Sequence, residues 1–207
     1  MPESMMLLDR LVREIPRRMK PKRISHTIAV AKVCASLCLR FGIDPKDGIL
    51  AAYSHDLLKD EGLERQFELA RRFDGSGRFP DLSSLYSRII GEPSFSGKVI
   101  HGLASAAYLN QECGLEDFPI LEAVAFHSTG SLSMGKAAKI LFIADKLEPT
   151  RPSSKPQDAL ALETASLDEL LLLSLESSIS YLAAGGAAIA QNTMDLYNAL
   201  RGKVGEK

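Results

Sequence analysis

The sequence predicts an all-α fold. Apolar residues recur at three- and four-residue intervals over most of the chain. Alternating runs of β-branched residues, the mark of half-buried strands, are absent. Gly and Pro fall mainly between the periodic segments, where they stop or start helices. We expect one domain over residues 1–207, with its core at about 20–200.

Each element has a local reason. Val30, Val33, Cys34, Leu37, Cys38 and Phe41 form one apolar face of a long helix, and Gly42 stops it. Asp44 then serves as N-cap and Pro45 as the first helical residue of the next helix. That helix points Ile49, Ala52, Tyr53 and Leu57 inward. Similar periodicity predicts helices near 62–72, 97–113, 117–127, 135–148, 166–184 and 190–201. Asp74-Gly75-Ser76-Gly77 and Gly91-Glu92-Pro93-Ser94 read as loops. The Pro149–Pro156 run ends a helix because Pro lacks an N–H and restricts the residue before it.

Composition limits function. With 25 Lys+Arg against 26 Asp+Glu, the net charge of −1 argues against generic nucleic-acid or anionic-membrane binding, leaving room for a local basic pocket. Three Cys make no disulfide framework and point to a reducing, cytoplasmic setting. The apolar run after Met1 is too short for a signal peptide. The uncharged stretch from Ser177 to Met194 holds too many Ser, Gly, Gln and Asn for a membrane span, and reads as buried helix plus turn.

The chemistry lies in the four His and two of the Asp. His26 heads the first long helix and shares the face of Val30, Val33 and Leu37. His55 and Asp56 come late on the second helix, His101 opens another, and His127 closes the helix of Leu121 and Val124. Asp145 shares a face with Ala138 and Leu141. A lone inward His is more often a satisfied core residue than a ligand, and a lone His-Asp pair means little. Six such groups converging from several helices have a natural partner in a cation, and helix bundles build metal sites this way. Cys34 and Cys38 sit in the apolar stripe and read as core. Lys59 and Lys146, taken singly, read equally as solvated charges.

The order His26…His55-Asp56…Asp145 resembles the signature of the HD-domain metal-dependent phosphohydrolases. Five segments are similar to one branch, the bacterial symmetrical bis(5′-nucleosyl)-tetraphosphatases. They are Arg23-Ile-Ser-His26-Thr27, His55-Asp-Leu-Leu-Lys59, His101-Gly-Leu-Ala-Ser-Ala106, His127-Ser-Thr-Gly130 with Met134, and Ala144-Asp-Lys-Leu-Glu-Pro-Thr-Arg151. The resemblance spans about residues 20–200. It implies a helical bundle holding a pair of metal ions, iron first, with manganese or another borderline metal as alternatives. By position, His26, His55, Asp56 and Asp145 would hold one ion. His101 and His127 would hold the second, with Asp56 as bridge.

The resemblance further implies hydrolysis of diadenosine tetraphosphate to two ADP by a metal-activated hydroxide, with Lys59 and Asp56 as catalytic residues. Arg23, His101, His127, Ser128, Arg151, Gln191, Asn192 and Thr193 become the expected substrate contacts, each Arg being equally readable as a surface ion pair. Glu148 is expected to orient Arg151 or a ligand His. Ser128 stands where Thr is usual, and Gly135 where a capping Ser is common. The segment around Phe73–Gly97 is longer than the family's and is expected to cover the pocket. The alternatives are an HD phosphohydrolase for another nucleotide, or a non-catalytic metal or nucleotide sensor. The cyclic-dinucleotide branch is disfavoured because its Gly-Tyr-Pro extension is absent. A homodimer is left open.

Overall fold

The computed structural model describes residues 3–204. Among them are eleven α-helices and no strand: α1 (Glu3–Arg18), α2 (Pro21–Phe41), α3 (Pro45–Ser54), α4 (Leu63–Ala70), α5 (Pro80–Ile90), α6 (Pro93–Gln111), α7 (Phe118–Phe126), α8 (Lys136–Leu147), α9 (Pro156–Thr164), α10 (Leu167–Ala184) and α11 (Gln191–Val204). A 3₁₀ turn, Arg71–Phe73, extends α4.

The apolar pattern decides which helices are central. The segment Phe118–Phe126 is apolar nearly all round, so α7 buries every face, and Ile120 to Phe126 are all buried. It lies between α6 and α8. On α6 the run from Ile100 to Leu109 is wholly buried. Helices α2 and α3 pack on each other and on α8, and α10 covers the far side of α8. Helix α2 is by length and composition apolar enough to cross a bilayer. Its Val30, Cys34, Leu37 and Cys38 are instead buried in the core.

The capping chemistry matches its sequence signals. Gly42 ends α2 in the left-handed region, at φ 73°. The Asp44 side chain accepts from the Lys46 N–H at 2.9 Å, and Pro45 opens α3. Ser166 and Glu169 cap α10 reciprocally. On α3, Leu50, Ala51 and Ala52 form the buried face, while the expected Ile49 and Tyr53 lie half-exposed beside it.

Other segments differ from expectation. The long segment around Phe73–Gly97 is mostly helical. Helix α5 buries Leu82, Leu85, Tyr86 and Ile89, a helical stripe bracketed by turn residues. Pro93 does not mark a loop: it is the first helical residue of α6, where its missing N–H costs nothing. His101 therefore lies in the middle of its helix. Pro156 opens α9 in the same way. Helix α1 extends the core back to Leu7, Leu11 and Ile15. The Ser177–Met194 stretch is not buried helix. Beyond Leu175 the end of α10 is largely open, and Tyr181 is 74% exposed.

Candidate metal centre

Asp56 is the hub. It lies with His55 in the turn that follows α3, not on the helix itself. His101 Nε2 is 3.2 Å and His127 Nε2 3.5 Å from Asp56 Oδ1. His55 Nε2 is 3.7 Å from Asp56 Oδ2 and 3.8 Å from Asp145 Oδ1. His26 Nε2 lies 3.0 Å from the same Asp145 oxygen. Donor atoms of His26, His55 and Asp56 fall within 4.8 Å of one another, as do those of Asp56, His101 and His127. Asp56 thus belongs to both groups.

Backbone and carboxylate oxygens aim the rings. His55 Nδ1 donates to the Ala52 carbonyl at 2.6 Å, and His127 Nδ1 to the Val124 carbonyl at 2.7 Å. Each bond closes back over one helical turn, which puts the proton on Nδ1 and turns the Nε2 lone pair inward. His26 Nδ1 meets Glu148 Oε1 at 2.9 Å. Glu148 is itself fixed by the Thr150 N–H at 2.6 Å and its hydroxyl at 2.9 Å. Glu148 therefore orients a His, as its place in the sequence suggested.

A close helix approach brings His101 to His127. A Cβ on Gly102 would stand 2.8 Å from the Ala125 carbonyl and 3.3 Å from His127 Cε1. Glycine at this position lets α6 and α7 touch backbone to backbone, and the two Nε2 atoms come within 3.1 Å. Gly135 has a similar explanation. Its N–H donates to Glu122 Oε2 at 3.0 Å, and a Cβ there would meet that oxygen at 2.9 Å. A buried carboxylate replaces the capping Ser.

Charge balances around two carboxylates. Burial alone would raise Asp56, yet the facing imidazoles of His55, His101 and His127 and the Lys59 ammonium hold it well below the ordinary carboxylate value. Burial likewise opposes ionisation of Asp145, and Lys146, Arg151 and His26 outweigh it. Burial lowers His55 to about 4 and lowers His101 and His127, so these rings stay neutral. For His26, burial is outweighed by Asp145 and Glu148, and its pKa rises.

The donor set fits metal. His55 Nε2 is buried and has no hydrogen-bond partner among the described residues. A buried nitrogen lone pair with no proton donor costs stability unless a cation takes it. Neutral imidazoles and ionised carboxylates, with no thiolate, suit a borderline metal such as iron or manganese.

A cavity of about 370 Å³ opens from this cluster. Lys59, Lys98, Lys146 and Arg151 supply its cations, and Ser128 and Thr193 also line it. Lys59 Nζ is 3.1 Å from Asp56 Oδ1, Lys146 Nζ contacts Asp145 Oδ2 and donates to the His127 carbonyl at 2.9 Å, and Arg151 Nη2 donates to Asp145 Oδ1 at 2.5 Å. Ser128 Oγ is 2.9 Å from His127 Nε2. Thr193 spends its hydroxyl proton on the Thr129 carbonyl at 2.7 Å. Lys146, read singly as a solvated charge, is in fact a half-buried part of the site, and desolvation lowers its pKa. Lys98 comes from α6, near the start of the helix expected at 97–113.

Three expected substrate contacts are placed elsewhere. Arg23 is not on the cavity wall. Its Nη1 donates to Asp56 Oδ2 at 2.9 Å, and its other nitrogens hold Asp60. Gln191 and Asn192 face a separate cavity, where Gln191 bonds Asp195 and Asn192 accepts from Arg88. Turning α11 by one residue beyond Asn192 is what brings Thr193 alone to the first cavity.

Comparison with known proteins agrees with this geometry. The HD domain model matches residues 23–150. A symmetrical bis(5′-nucleosyl)-tetraphosphatase of Staphylococcus aureus is 26% identical over 93% of this chain and 94% of its own. One of Halalkalibacterium halodurans is 28% identical over 86% and 88%. The crystal structure of a predicted HD superfamily hydrolase involved in NAD metabolism, from Clostridium acetobutylicum, superposes with a TM-score of 0.74 at 26% identity, covering 94% of this chain and 97% of the other. All six sequence-predicted ligands fall at or within the matched segment, which is more than half of the chain, and the chain belongs to the HD-domain family.

Proposed function

We propose that this protein is a metal-dependent phosphoanhydride hydrolase that cleaves dinucleoside tetraphosphates symmetrically, diadenosine tetraphosphate giving two ADP. The observation that carries the reading is the unpartnered His55 Nε2, set among His and Asp at the floor of a cavity lined by four cations. The names of the similar proteins support the substrate.

His26, His55, Asp56 and Asp145 would hold one ion, and His101, His127 and Asp56 a second. Bound metal supplies charge neutralisation at phosphoryl oxygens and a water of lowered pKa at neutral pH. The protein's own side chains do the rest. Lys59, Lys146 and Arg151 stand beside the ligand carboxylates and face the cavity, placed to take phosphate charge as the scissile bond opens. Arg151 offers a planar fork, whereas the lysines act as point charges. Arg23 works through Asp56, fixing the carboxylate that both donor groups share. Ser128 lies against His101 and His127, within reach of a bound phosphate. The free thiols of Cys34, Cys38 and Cys113 support a cytoplasmic setting.

A second reading, another nucleotide as substrate, draws on the relative involved in NAD metabolism. Product analysis decides. Metal-loaded protein is given a panel of dinucleoside polyphosphates, NAD and mononucleotides. ADP as sole product from diadenosine tetraphosphate supports the proposal. ATP plus AMP contradicts symmetric cleavage, and turnover of NAD or mononucleotides alone favours the second reading.

A further inference from the structure

A substrate with two nucleosides needs room on both sides of its scissile bond. The first cavity is at the small end of the range for such ligands. A second cavity, of about 260 Å³, adjoins it. Phe95 and Ala190 line both, so the two cavities adjoin at these residues. Thr129 lines the second cavity, while its neighbour Ser128 lines the first and touches His127. The second cavity thus lies on the His101 and His127 side of the metal centre.

Charge separates the two. The first cavity gathers Lys59, Lys98, Lys146 and Arg151. The second has one cation, Arg88, which donates to Asn192 Oδ1 at 2.7 Å and lies 3.8 Å from Asp195, and it has the acid Glu92. Its remaining lining is largely apolar: Leu85, Ile89, Phe95 and Ala190. Such a chamber disfavours phosphate and suits a flat, neutral, mostly apolar group with a polar edge. Gln191 and Asn192 give the side-chain amides that such an edge pairs with.

We propose that this second cavity receives the nucleoside of one half of a dinucleoside polyphosphate, the other half occupying the cationic cavity. This rests on the hydrolase reading above. It also gives a role to the long segment between His55-Asp56 and His101, since α5 and the start of α6 build most of the chamber.

Gly91 allows a test that spares the fold. It lines the second cavity, is exposed, and an added Cβ meets nothing closer than 3.4 Å. Gly91→Phe is expected to place a ring at this lining and narrow the chamber. Loss of base stacking predicts a KM for diadenosine tetraphosphate raised ~10-fold. The KM for adenosine 5′-tetraphosphate, which has one nucleoside, should change less than ~2-fold, because it needs no second chamber. Equal effects on both substrates overturn the proposal. ADP titration of the metal-loaded protein needs no turnover and separates this proposal from the hydrolase reading. Two ADP per chain in the parent and one in Gly91→Phe support the chamber even if no dinucleotide is cleaved. One ADP in both, or two in both, overturns it.

Discussion

His26 illustrates how single side chains set the site. Its ring is the least buried of the four, at 18% side-chain exposure, and carboxylates flank both nitrogens. Glu148 on Nδ1 makes the other nitrogen a better donor and fixes the ring plane. Glu148→Ala should therefore weaken metal binding by about 10- to 100-fold, read by competition with a chelating dye. Unchanged affinity would mean that Asp145 alone orients His26. Lys59 makes the contrasting case, because it touches Asp56 yet offers no lone pair while charged. Lys59→Ala should keep its metal and lose about 10²-fold in kcat. The clustered residues were legible in the sequence because His is scarce there and all four His converge on one cluster with Asp56 and Asp145. Lys146 and Lys98 were not legible, since nothing local separates a site lysine from a solvated one. Gln191 and Asn192 line the second cavity and Thr193 the first: helix α11 carries neighbouring residues to different faces, and a motif does not say which face meets which cavity.

At the scale of elements, the decisive contact is α6 against α7. Gly102 permits it, and Gly102→Ala would press a methyl group onto the Ala125 carbonyl. We expect His101 and His127 to separate and the metal between them to be lost, with a destabilisation of about 1–3 kcal/mol. Metal content and thermal denaturation of this variant check the claim; full occupancy would show that the close approach is incidental. The helices themselves were largely readable. Asp44-Pro45 announced a start and Gly42 a stop, because capping is local chemistry. Helix α5 was hidden for an equally local reason. Its stripe Leu82, Leu85 and Ile89 has helical spacing, but Gly75, Gly77, Gly91 and Pro93 surround it. Pro93 and Pro156 read as breakers, whereas a Pro at the first helical position starts a helix. The outer half of α10 was read as buried from its composition. Tyr181 is largely exposed among the described residues, and uncharged residues alone do not say whether a partner exists.

Over the whole molecule, elements distant in sequence close around the site. Helix α1 is tied to α6 through Tyr108, whose hydroxyl donates to Glu14 at 2.8 Å and accepts from Arg18 at 3.1 Å. Arg18 continues to Glu61 at 3.1 Å, beside the turn that carries Asp56. Tyr108→Phe should cost about 1 kcal/mol in denaturant unfolding while leaving metal content unchanged. A loss of metal with it would mean that α1 supports the site more directly than its contacts suggest. Four of the 25 Lys and Arg gather in one cavity of a molecule whose net charge is near neutral, a local basic pocket. The central claim is that the His and Asp cluster is a metal centre at the floor of that cavity. Elemental analysis of the purified protein beside His55→Ala tests it most directly. The account predicts about two transition-metal ions per chain in the parent and a marked loss in the variant. A parent free of metal, or a variant that retains the parent's full complement, would contradict it.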